Sequence, residues 1–213
     1  MAANLMNPAR DQLPRIFQAN LARFYERVVM PGLDALPIHS GLPIGAPANL
    51  ADALDLASAR VDNYTANEAA KAFALTLAAV FERQLSIWAR AIEAEDSAAR
   101  PTSTKFHGFL EFCAEYAAVN LEEYELADDL SEMFLVANVV RHGEGGSCDK
   151  LRNVAPALWD EGLSDYIDLL AGPTNISERL RVRADDLRRY IRAAVRFWGL
   201  ADPLPMAVAD PPY

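Results

Sequence analysis

The chain has only two cysteines and three histidines in 213 residues, and that scarcity narrows the chemistry at once. Cys113 and Cys148 form no CxxC pair, and no second His or Cys pair stands at metal-ligand spacing, so no disulfide framework and no metal site is indicated. Both are expected to be reduced thiols. The opening "MAANLMNPARDQLPRIF" lacks a basic start followed by an apolar segment, which makes the cytoplasm the expected location and the sequons at Asn63 and Asn175 chance matches. The longest apolar stretches, such as "AAKAFALTLAAVF", are broken by charge short of the roughly 20 residues that cross a bilayer, so no membrane span is expected. GxSxG, HExxH and GxGxxG are absent. "GEGG" has no Lys-Ser or Lys-Thr after it and reads as a turn, not a phosphate loop. Basic residues number 20 against 30 acidic ones, and the formal charge of -10 repels nucleic acid from the surface as a whole while leaving room for a local basic patch.

What is present is amphipathic helix. Leu13, Ile16, Phe17, Leu21, Phe24 and Val28 recur at helical spacing through 11–30, and "MPGL" ends the pattern. "LPIHSGLPIGAPANL" is a Pro/Gly loop, after which Asn49 can cap a short helix. From Thr65 onward Phe73, Leu77, Phe81, Leu85, Trp88 and Ile92 mark a long central helix. Further helices are expected over "FHGFLEFCAEYAAVN", over "LEEYELADDLSEMFLVANVVRH" with acids first and cations last, and over "DDLRRYIRAAVRFWGL". In "RLRVR", Arg and apolar residues alternate with the period of a brief extended segment. The fold class is all-α, an antiparallel helical bundle with at most one short extended segment near the C-terminal helix. Residues 1–64 form an N-terminal helix and Pro/Gly loop, 65–200 the bundle, and 201–213 a Pro-rich tail that docks or moves.

One helix end carries candidate chemistry. Asn138, Arg141 and His142 fall within about 100° on one helix face, bordering the stripe of Leu130, Ala137 and Val140. An imidazole can exchange a proton near neutral pH, and a guanidinium can neutralise a phosphate. Cations in a last turn before Gly143 are equally what a helix dipole and a glycine cap require, so the triplet is either a reactive cluster or a well-capped terminus. A second candidate is the stretch from Arg179 to Arg196, which holds seven of the 20 basic residues. Arg179, Arg181, Arg183, Arg188, Arg189 and Arg192 are its candidate RNA or phosphate contacts; the alternative is pairing with acids of neighbouring helices. His39 and His107 show no partner in the sequence.

"ANVVRHG" late in a helix, "FERQL" in the long helix before it and "ADDLRRYIRAAVRFW" at the end together resemble the HEPN superfamily of helical domains, over roughly Thr65 to Trp198. The resemblance implies a dimer. In many members an Arg, a polar residue, three or so further positions and a His carry out metal-independent RNA cleavage; other members are non-catalytic modules of defence and toxin–antitoxin systems. His142 matches the motif His and Asn138 its polar position, but Ala137 occupies the Arg position, with Arg141 on the same face to supply the charge. The resemblance therefore implies a dimeric module that binds RNA, a nucleotide or a partner such as an antitoxin through a degenerate motif, or else an endoribonuclease using His142 and Arg141. Neither implies a cofactor or a metal.

Overall fold

The computed structural model describes residues 9–43, 47–95, 99–159, 164–169 and 174–211. The ends of the chain and parts of the expected loops at 44–46 and 96–98 lie outside the described residues. Among the described residues seven α-helices follow in order: α1 (Ala9–Phe24), α2 (Met30–Asp34), α3 (Leu50–Glu95), α4 (Phe106–Tyr116), α5 (Ala127–His142), α6 (Gly146–Val154) and α7 (Ala184–Ala201). A π turn, Tyr25–Val29, joins α1 to α2, and the described residues between α6 and α7 include three short 3-10 turns. The described residues contain no strand, and the all-α expectation holds. At "LRVR" the alternation is real but no sheet forms. Leu180 and Val182 are buried while Arg183 is exposed, and Arg181 N–H donates a single backbone bond to Leu158 O at 2.8 Å.

One expected boundary and one expected buried face need correction. The long helix starts at Leu50 rather than after Thr65: Asn49 Oδ1 accepts Asp52 N–H at 3.0 Å as an N-cap does, and Thr65 Oγ1 donates to Val61 O from within the helix. In the first helix Ile16 and Val28 are 55% and 47% exposed. The buried row instead steps by four through Phe17, Leu21, Tyr25 and Val29, a step the wider π turn preserves.

The chain forms two compact units, each drawn from separated stretches. The first comprises Met1–Tyr25, Leu77–Ser131 and Arg188–Tyr213. Its core is aromatic. Trp198 lies 5.0 Å from Phe17, 5.8 Å from Phe81 and 5.5 Å from Trp88, ring centre to ring centre, in tilted and edge-on contacts. The buried indole N–H groups are satisfied: Trp198 Nε1 donates to Gln84 Oε1 and Trp88 Nε1 to Arg10 O, at 2.9 and 3.0 Å. The Pro-rich tail docks on this unit. Arg15 Nε meets the buried carboxylate of Asp202 at 2.7 Å and Nη2 reaches Pro205 O, while Gln18 Nε2 donates to Val208 O.

The second unit comprises Glu26–Thr76 and Glu132–Leu187, and much of its backbone is irregular. Two buried amides of α3 hold that backbone. Asn63 Oδ1 accepts His39 N–H at 2.8 Å, and its Nδ2 donates to His39 O and Ser164 O. One turn on, Asn67 Nδ2 donates to Leu180 O at 3.0 Å and Oδ1 accepts Val182 N–H at 3.1 Å. Asp165, 1% exposed, accepts Ile167 N–H on one oxygen and faces Arg181 Nη2 at 3.0 Å with the other.

Gly199 offers a direct test of tail docking. A Cβ there would stand 2.0 Å from Val208 O and 2.5 Å from Gln18 Nε2, so the tail has to move off α7 to admit one. Gly199→Ala is expected to cost about 1–3 kcal/mol in urea unfolding despite the higher helix propensity of alanine. A variant as stable as the parent would show that the tail contributes nothing there.

Candidate functional site

The end of α5 is built as its electrostatics require. Asp128 and Asp129 occupy the first turn and Arg141 and His142 the last. Gly143 follows at φ +70° and donates its N–H to Val139 O at 2.8 Å, the left-handed cap that satisfies one of the free carbonyls. Glu144 then accepts Ser177 N–H at 2.6 Å, a bond that holds its carboxyl below the usual carboxylate range. This exposed link is present at neutral pH and is lost as pH falls through that lowered value.

Of the expected triplet, Arg141 and His142 are exposed and Asn138 is half-buried. None of the three has a hydrogen-bond or ion-pair partner among the described residues. Ala137, at the motif's Arg position, is 3% exposed and packed in the stripe of Met133 and Val136.

A cavity of about 380 Å³ lies on another side of the same helix end, within the second unit. Val139, Val140 and Gly143 give one wall of it; at about 100° per residue they lie roughly 110–150° around the helix from the mean direction of Asn138, Arg141 and His142. Tyr64, Glu68 and Lys71 of α3 give the facing wall. The Lys71 side chain is 7% exposed and its Nζ donates to Glu68 Oε1 at 2.7 Å. Tyr64 stacks on Tyr166 with ring centres 4.2 Å apart, and the hydrogen bond between them, with burial, pushes the Tyr64 phenol up to about 12. The sequence reading missed these groups. The available signal was spacing: Asn63, Asn67 and Lys71 recur every four residues along α3, and all three are buried.

The arginine-rich segment is not one surface. Arg181 is bound to buried Asp165, and its guanidinium does not face outward as expected for an RNA contact. Arg179 Nε donates to Thr174 Oγ1, and Arg183 Nη2 to Ala157 O at 3.4 Å. Arg189 pairs with Asp129 and lies over the Tyr190 ring, while Arg196, half-buried, donates to Tyr124 O and pairs with Asp210. Arg188 and Arg192 are exposed, and Arg192 has no ion-pair partner among the described residues. Both cysteines are buried free thiols. Burial pushes Cys113 up to about 12, and burial together with Glu144 raises Cys148, so neither thiol is activated as a nucleophile.

Comparison with known proteins finds no family model, no curated protein and no solved structure that matches this chain. No helix among the described residues is long and apolar enough to cross a membrane.

Two substitutions separate packing from surface chemistry. Ala137→Arg would put an unpaired guanidinium among buried apolar side chains and is expected to destabilise the fold by several kcal/mol, about 3–5, in thermal or urea melts. An intact melt would show that position 137 admits a charge. Arg181→Leu strands the Asp165 carboxylate and should likewise cost about 3–5 kcal/mol, whereas Arg192→Ala should stay within about 0.5 kcal/mol of the parent. Equal effects of the two arginine changes would contradict the assignment of Arg181 to the interior.

Proposed function

We propose that this chain is a HEPN-like helical module that acts by binding rather than by cleavage, as a dimer in a defence or toxin–antitoxin setting in the bacterial cytoplasm. Its partners on this reading are RNA, a nucleotide or an antitoxin-like protein. The observation that carries the non-catalytic part is Ala137: a 3% exposed methyl group fills the motif position that would need a guanidinium directed at phosphate. The end of α5 supports the same reading. Its cations are accounted for by the helix dipole, and neither has a hydrogen-bond or ion-pair partner among the described residues.

A second reading keeps one observation in its favour. Arg141 and His142 stand exposed together, open to a second copy or to RNA, which is what a metal-independent endoribonuclease would need from this helix end. The two readings part on a single measurement: cleavage of structured and single-stranded RNA in EDTA by the parent protein, beside His142→Ala and Arg141→Ala. The binding module predicts no cleavage above the variants. Cleavage lost by roughly 100-fold or more in His142→Ala would establish the nuclease instead.

A further inference from the structure

The cavity beside the end of α5 poses a chemical question that packing does not answer. Lys71 brings an ammonium group to its wall, with three N–H donors and a side chain 7% exposed. Glu68 Oε1 takes one donor at 2.7 Å and is the only partner of that group among the described residues. The ammonium group therefore has donors to offer an anionic oxygen in the cavity beyond its pairing with Glu68.

A bare oxyanion does not suit the remaining charges. Glu68 and Glu178 both line the cavity, and the wall from α5 is the C-terminal, negative end of that helix. Glu178 uses Oε1 to accept Asn175 Nδ2 at 2.9 Å and has no described partner on its other oxygen. Two carboxylates and a helix C-terminus against one ammonium repel a dianion such as a phosphate monoester and favour a positive group close by. Four aliphatic side chains, Val139, Val140, Ile167 and Leu180, line the cavity beside Tyr64, Gly143 and Ser177. At about 380 Å³ the space lies at the small end of the roughly 300–1,000 Å³ range of ligand pockets.

We propose that this cavity binds a small zwitterion with an aliphatic side chain, a free α-amino acid of the leucine or valine type. The carboxylate sits on Lys71 Nζ, the ammonium group on Glu178 and the free oxygen of Glu68, and the side chain against the four aliphatic residues. Tyr64 keeps its phenolic proton and adds a neutral polar edge without contributing charge. This site does not depend on whether the end of α5 binds or cleaves RNA.

The probes are L-leucine and its two halves, 4-methylpentanoate without the ammonium and 3-methylbutylamine without the carboxylate, titrated into the full chain at millimolar concentration. Binding is read by NMR shifts and by the rise in melting temperature. Leucine is expected to bind tighter than either half by roughly tenfold or more, at least one charge-assisted contact being lost in each case. Lys71→Met should abolish leucine binding, and Glu178→Gln, an exposed change that leaves the fold intact, should weaken it several-fold. No leucine binding, equal binding of 4-methylpentanoate, tighter binding of inorganic phosphate, or an unchanged affinity in Glu178→Gln would each overturn the proposal. If Lys71→Met does not fold, the ranking of the three probes and Glu178→Gln still decide it.

Discussion

The second unit depends on two asparagines. Its backbone leaves helical geometry around His39, Ser164 and 180–183, and each departure exposes N–H and C=O groups that need partners once buried. Asn63 and Asn67, 4% and 8% exposed, answer those groups from the side of a continuous helix. Each amide offers both a donor and an acceptor, so one side chain binds a backbone segment as a neighbouring strand would. An apolar residue would bury the same surface but leave three backbone groups unpaired at position 63 and two at position 67, at about 1–3 kcal/mol for each.

That clamp also shapes the cavity. Leu180, whose carbonyl is held by Asn67, and Ile167, just after the Ser164 carbonyl held by Asn63, are two of its walls. The Asp165–Arg181 pair ties the same two segments together beneath the surface. Tyr64 and Lys71 come from the same stretch of α3, so the groups that fix the irregular backbone and the groups that face the space between are set by one helical register. Rigid positioning from a long helix suits a small ligand, for which errors of an ångström lose a hydrogen bond.

The end of α5 shows how one set of residues can satisfy two descriptions. Cations before a left-handed glycine stabilise the helix terminus whether or not they meet a phosphate, and here the cap is present in full. What separates the descriptions is the neighbour at 137. A methyl group in the buried stripe leaves the polar face with a cation, an imidazole and an amide but without a guanidinium at the motif's Arg position. The arginines of the C-terminal region divide in a similar way: Arg181 is interior because Asp165 is buried beside it, and Arg192 is outward because nothing described pairs with it.

The helices were legible in the sequence because burial repeats every three or four residues along them. Leu77, Phe81, Leu85, Trp88 and Ile92, and likewise Leu187, Ile191, Ala194, Val195 and Trp198, are all buried as their spacing predicts. Periodicity also placed Asn138, Arg141 and His142 on one face. It does not report which polar residues fall inside a stripe, or what they meet. Asn63 reads in one dimension as part of a glycosylation sequon, and only the folding of 39 and 164 against α3 turns it into a buried partner. Local spacing determines helix, face and cap, since those interactions lie within about four residues along the chain. Pairings such as Asn67 with Leu180, 113 positions apart, belong to tertiary structure, because nothing along the chain records which distant backbone group will lack a partner.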